Sequence, residues 1–379
     1  SAAAPATPGA PAAGAAGNPE AFKSVHTPGI PELLRDLGIS LLVSTYQSGR
    51  VIAVRADGDQ LNTHFRGFAS PMGIAIGRRY LAFGTQRHVW EYRNQPEVGR
   101  RLDASGRHDA VFLPRASQVT GDIRIHEMAF VGERLGDRLG DQRLDELWIV
   151  NTRFSCLAVL DGEHSFVPRW RPPFVTALLP EDRCHLNGLA IRDGQVRWVT
   201  ALGTTDTAQG WRPDKAHGGV LIEHPSGMIV ARGLSMPHSP RWYGDRLWVL
   251  ESGKGTLATV EPGTGRVETV EELPGFTRGL AFAGPYAFVG LSRVRETKIF
   301  GGIPLTDRVQ EKLCGVWVVD LRTAKVAGFL RFEGLVQEIF DVQILRARWP
   351  EIAETDSDLI AGSFALPAPA LEQVGAAGG

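Results

Sequence analysis

The stretch HLNGLAIRDGQVRWVTA, residues 185–201, holds two short apolar runs, HLNGLAI and QVRWVTA, parted by an Asp-Gly turn. Each run is rich in β-branched and aromatic residues and is bounded by turn formers, which is the pattern of an antiparallel hairpin. The first run has relatives along the chain: SPMGIAI (70–76), IHEMAF (125–130), HSPRWY (238–243), TRGLAF (277–282) and QEIFDV (337–342). The second recurs as RYLAFGT (79–85), DELWIVNT (145–152), DRLWVLES (245–252) and PYAFVGLS (285–292). A third phrase follows as RHVWEYR (87–93), SCLAVLD (155–161), HGGVLIE (217–223), GTLATVE (255–261) and CGVWVVD (314–320). A weaker fourth closes some units, as in MIVARG (228–233) and VAGFLRF (326–332).

Four strands in units of about 50 residues, repeated six times, predict an all-β fold, a six-bladed β-propeller. A blade alone cannot bury both faces, so neighbours must stack around an axis. The runs ISLLVSTY (39–46), RVIAVRA (50–56) and LNTHFRGF (61–68) read as second to fourth strands lacking a first. QEIFDV near the C-terminus supplies it, closing the ring with strands from both ends. DLIAGSF (358–364) competes with 39–46 for the second place, and seven blades is the alternative.

Residues 1–22 are expected to be an Ala/Pro/Gly-rich disordered tail, 23–365 one propeller domain, and 366–379 a second flexible tail. A short helix is expected over 31–37 and another inside the insertion 292–312. With 41 basic and 42 acidic residues, the chain has no electrostatic hold on nucleic acid or an anionic membrane. No run nears the roughly 18 apolar residues of a spanning helix. Cys156, Cys184 and Cys314 lack CxxC spacing, and unpaired cysteines fit a reducing compartment. Cytoplasm is therefore the expected location, with a removed export signal left open.

In a propeller the first strand of each blade lines the channel, so residues at equivalent strand heads converge from different blades. Three such heads carry histidine: His126, His185 and His238. Three imidazoles on an axis suit one divalent Zn, Cu or Fe per chain. Aligned by their apolar cores the three are out of register, and a one-residue offset turns a strand side chain to the other face unless a bulge absorbs it. A polar, metal-free channel is the competing reading.

Glu338 is the candidate general base or acid, and Arg278 the candidate partner of an anionic group. An Arg–Glu pair that merely braces the blades is the alternative for these two. Asn187, Arg241 and Gln337 also sit in the inner phrases, Asn187 and Arg241 as candidate substrate contacts. The long loop GTTDTAQGWRPDKAHGG (203–219) offers Asp206 for catalysis and Trp211, Lys215 and His217 for substrate. An ordinary blade insertion would look the same. Cys184 beside His185 is not a nucleophile pair, because adjacent strand residues face opposite ways.

The phrases RCHLNGLAI, GTTDTAQGW, GLSMPHSPRWY, GRVETVEELPGFTRGLAF, VGLSRVRE and CGVWVVDLRT resemble a bacterial β-propeller family of unknown function, over roughly residues 35–365. More remotely the layout is similar to propeller enzymes with an axial metal, the gluconolactonase/senescence-marker group and the peptidyl-α-hydroxyglycine amidating lyases. The lyase resemblance implies zinc on His126, His185 and His238; the remaining lyase catalytic residues have no counterpart here. The lactonase pattern, with carboxylate and Asn ligands, is met only loosely by Glu338 and Asn187. Two functions follow. One is a metal-dependent lyase or hydrolase acting on a peptide or small hydroxylated substrate. The other is a non-catalytic platform for a peptide or protein partner, with Trp211 and Trp242 exposed as anchors.

Overall fold

A computed structural model describes residues 19–132, 145–293 and 302–376. Six antiparallel sheets of at least four strands follow one another around an axis. The closing blade joins Asp341–Leu345, from the C-terminal part, to Ser40–Thr45, Arg50–Asp57 and Gln60–Gly67. The next five inner strands, in chain order, are Ile74–Ile76, Ile125–Val131, Leu186–Arg192, Pro237–Tyr243 and Phe276–Ala283.

Ring closure is therefore the one expected, with a local difference. The segment 337–340 is not strand but leads into the inner strand, which begins at Asp341. DLIAGSF is not a strand either. Ser357 accepts a hydrogen bond from the Leu359 backbone N–H and caps a short helix, Asp358–Ala361, which removes the rival for the second place.

Core residues gather between blades rather than within them. Ile52 and Val43 of the closing blade meet Phe288 and Val316 of the sixth, and the same pairing of neighbours recurs at each junction round the ring. Both faces of each sheet are thus covered, which explains the nearly unbroken apolar runs in the second and third strands. The helix Ile30–Leu37 starts with Pro31 near its N-terminus and ends at Gly38, whose left-handed φ of 64° closes the last turn. Its Ile30 and Leu34 cap the junction of the closing and sixth blades.

Two outer edges carry an added strand. Ser24–His26 pairs with Lys325–Phe332, and Pro350–Ile352 lies parallel to Ala110–Val119. The insertion 292–312 does hold a helix, Pro304–Arg308, with 294–301 outside the described residues. Ala368–Ala376, inside the segment expected to be a tail, is helical. Among the described residues, no helix is long and apolar enough to cross a membrane.

Candidate functional site

The heads of four inner strands share one irregularity. Ile125–Met128 opposes Asn151–Ile149, His238–Arg241 opposes Leu250–Trp248, and Thr277–Leu280 opposes Leu291–Val289, in each case with one extra residue on the inner strand. Leu186–Gly188 against Ala201–Thr200 repeats the bulge in the fourth blade. A bulge re-aims the side chain it carries, and these bulges sit at His126, His238, Arg278 and Asn187. His185 lies just before its strand with φ +51°. The register mismatch seen in the sequence is absorbed by these local twists. The three histidines come together, with one ring nitrogen from each within 4.8 Å of the others.

The hydrogen bonds fix which nitrogen is available. His126 Nδ1 lies 3.1 Å from the Arg124 carbonyl and 2.8 Å from Thr152 Oγ1. His238 Nδ1 lies 2.9 Å from the Met236 carbonyl and 2.9 Å from Ser252 Oγ. Both hydroxyls donate onward, to the Leu186 and Thr277 carbonyls, so they can only accept from the rings. His185 Nδ1 sits 3.0 Å from both carboxylate oxygens of Asp182. Each Nδ1 is therefore a protonated nitrogen, and it is the Nε2 side of each ring that is left unengaged by these bonds. Burial, and then the charge of Arg278, holds His126 and His238 well below the usual imidazole range, so both rings are neutral at pH 7.

Imidazoles oriented through Nδ1 by carbonyl, hydroxyl or carboxylate form the donor set a divalent transition ion takes. Ligand nitrogens about 2.05 Å from a tetrahedral ion stand about 3.4 Å apart, so the rings need close by little more than an ångström. The walls are aromatic. His126 touches Phe340 at 5.2 Å between ring centroids, His185 meets Trp211 at 4.4 Å, and His238 meets Phe276 at 5.8 Å.

Around this cluster the other candidates separate. Arg278, half-buried, lies with its guanidinium 3.5 Å over the Phe340 ring. Its Nη2 is buried without a hydrogen-bond partner, and burial pulls the group down to about 10. Glu338 is half-buried and shares a hydrogen bond with Tyr46, whose phenol is raised by burial and then by the Glu338 charge. Tyr46 ends the second strand of the closing blade, so this pair joins the two ends of the chain.

Arg241 is not an open substrate contact. It forks onto Glu127 at 2.8 and 3.2 Å, donates to the Leu189, Pro240 and Leu280 carbonyls, and stands 3.9 Å from Asp341. Asp341 in turn accepts from the Ile74 and Val342 backbone N–H groups at 2.9 and 2.8 Å. All six inner strands thus contribute to one polar floor across the channel. The bracing Arg–Glu pair exists, but it is Arg241–Glu127 rather than Arg278–Glu338.

Asn187 is fully buried; it donates to the Pro237 carbonyl and accepts from Thr200 Oγ1, which ties the fourth blade to the fifth. Asp206 ties its loop down, accepting from the Thr176 N–H and hydroxyl and from Arg183. These bonds lower its carboxyl to about 2 and pin the loop to Thr176 and Arg183. Trp211 is 3% exposed, so it is part of the wall and not a surface anchor. Trp242, half-buried, stacks on Trp198 at 5.3 Å beneath Arg192. Lys215 is half-buried near Arg212, which together with burial lowers it, and His217 is exposed on the turn after Asp214. Cys184 is buried and its thiol pushed up to about 12, which removes it as a nucleophile.

Sequence reasoning missed Asp182, Tyr46, Thr152 and Ser252. The signals were present. Asp182 precedes His185 by three residues, and the second phrases end in hydroxyls as IVNT (149–152) and VLES (249–252).

No curated protein matches the chain. Among solved structures, it is similar to a chain in a crystal structure of a nidogen/laminin complex, with 12% identity over 82% of this chain and 99% of that one and a TM-score of 0.52. A protein of unknown function from Bacteroides caccae matches with 9% identity over 81% and 99%, at a TM-score of 0.49. At 12% identity the first likeness shows the propeller fold alone. The chain matches a domain of unknown function, DUF4915, over residues 28–353, and so belongs to that family.

Proposed function

We propose that this propeller is a metal-dependent enzyme, of lyase or hydrolase type, acting at the channel mouth on a peptide or small hydroxylated molecule. One observation carries the reading. Three histidines from three blades each have Nδ1 tied back into the protein, and one ring nitrogen from each lies within 4.8 Å of the others. A structural role would not need all three rings held in the same tautomer. Simple bracing would use both nitrogens, as Arg241 uses its whole fork. His126, His185 and His238 would hold one divalent Zn, Cu or Fe, which supplies Lewis acidity when bound.

The chain's own residues supply the rest. Tyr46, whose phenol is raised by burial and then by Glu338, keeps its proton and donates it in a hydrogen bond to Glu338, which would place that carboxylate as the group to take a proton from a substrate at the mouth. Trp211, seated on His185 and pinned with its loop by Asp206, excludes water from one side.

Elemental analysis of untagged wild type beside His185→Ala tests the reading. About one equivalent of transition metal in the wild type, lost in the variant, is the expected result. No metal in either after incubation with Zn²⁺, Cu²⁺ and Fe²⁺ would end it, and the search would turn to protein partners.

A further inference from the structure

The channel holds two arginines, and only one is used. Arg241 is saturated by a carboxylate and three carbonyls. Arg278, among the described residues, donates no hydrogen bond and makes no ion pair, and its Nη2 is buried. Burying a guanidinium donor without an acceptor costs free energy that a fold normally avoids. The local groups offset it only from a distance: Phe340 supports the face of the plane, and Tyr46, Glu338, Glu127 and Asp341 favour the charge without accepting a hydrogen bond from it. Trp211 Nε1, in the ring that covers His185, is a second buried N–H without an acceptor.

Position adds to this. Arg278 is the first of the two bulge residues on its strand, as His126 is on its own, while His238 pairs just ahead of its bulge; Arg278 and His126 both pack on the Phe340 ring, at 3.5 and 5.2 Å. The Arg241–Glu127 pair spans the axis between the third and fifth blades and uses its own donors and acceptors, which leaves the unengaged groups on the side of the three histidines. Arg278 is the guanidinium beside these rings that holds no carboxylate by a hydrogen bond or ion pair among the described residues, in contrast to Arg241.

We propose that Arg278 is a carboxylate clamp, and that the substrate is a small molecule that enters the channel carboxylate end first. The guanidinium fork matches the two oxygens of a carboxylate, and a single negative charge balances it. This rests on the reading of the three histidines as a metal site, which fixes where the rest of the substrate lies.

Cobalt(II) is the probe, because its visible spectrum reports changes near the ion without any assay of turnover. Wild type, Arg278→Met and Arg278→Lys are loaded with Co²⁺ and titrated with acetate, acetamide or inorganic phosphate. All three proteins should bind Co²⁺ alike. Acetate should perturb the wild-type spectrum and bind at least tenfold more weakly to R278M, with R278K between; acetamide should do nothing at the same concentrations.

Wild-type acetate affinity in R278M, an equal response to acetamide, or tighter binding of phosphate than of acetate would overturn the clamp. Failure of the wild type to bind Co²⁺ would instead remove the metal reading beneath it. Near-UV circular dichroism checks each fold. Should R278M not fold, R278K decides alone, since it keeps the charge and loses the fork: weakened acetate binding supports the clamp, and unchanged binding sinks it.

Discussion

The floor and the mouth of this channel are built from neighbouring residues of the same inner strands, and they treat charge in opposite ways. On the floor, Glu127, Arg241 and Asp341 meet across the axis with nearly every donor and acceptor engaged. Glu127 also accepts from the Leu189 N–H, tying the third, fourth and fifth blades together. At the mouth, one residue earlier on the strand that carries Glu127, His126 presents a lone pair to open space, and Arg278 presents donors. Saturated charge holds blades together; unsaturated charge waits for a ligand. The contrast separates stability from function more sharply than burial does, because both layers are buried.

The largest effect should come from breaking the floor. Arg241→Met leaves Glu127 buried without its counter-charge, which typically costs about 3–5 kcal/mol. Denaturant unfolding should show a loss of that size, and a loss under about 1 kcal/mol would mean the floor is not the brace described here. A satisfied carboxylate elsewhere should behave likewise. Glu351 is buried, which raises its carboxyl, but His64 and Arg66 outweigh this and hold it at about 2 against an ordinary 4.5. Because the folded value is the lower one, the stabilisation is present above pH 4.5 and is lost as the pH falls towards 2. Its limit is roughly 3 kcal/mol. Unfolding free energies measured between pH 6 and 3 should fall more steeply in wild type than in Glu351→Gln; parallel slopes would contradict the assignment.

How much of this could be read in the sequence follows the same division. The blades were legible because a strand covered on both sides must be apolar along its length, and turns must interrupt it. Ring closure was ambiguous only where ISLLVSTY and DLIAGSF offer similar apolar runs; the Ser357 cap that makes the second a helix acts over two residues and leaves no periodic trace. The histidines were legible as a recurrence at strand heads. Their register was not, since a bulge and a positive φ at His185 alter direction without altering composition. Arg241 and Arg278 look alike in sequence. What distinguishes them is whether a carboxylate arrives from a strand more than 100 residues away, as Glu127 does for Arg241. No local pattern encodes that.

The mouth offers a smaller effect that sharpens the comparison. Asp182 orients His185 from behind. Asp182→Asn keeps the shape and weakens the hold on the ring, and partners of this kind are worth about 10–100-fold in metal affinity. Competition with a chromophoric chelator should show a loss in that range with the fold intact. An unchanged affinity would demote His185 from ligand to bystander.

The smallest effect should belong to Arg278, and its smallness is the point. If this guanidinium had a hidden structural partner, Arg278→Met would cost as much as Arg241→Met. With an unpaired Nη2, the substitution removes a cation that no carboxylate holds by a hydrogen bond, and breaks no pair of the Arg241–Glu127 kind. Unfolding free energy should then change by less than about 1 kcal/mol, in either direction. Equal losses in the two variants, measured under the same denaturant conditions, would erase the distinction between floor and mouth. A wide gap between two arginines in one channel would show that the fold tolerates Arg278 rather than depends on it, which leaves ligand binding as the reason for its place.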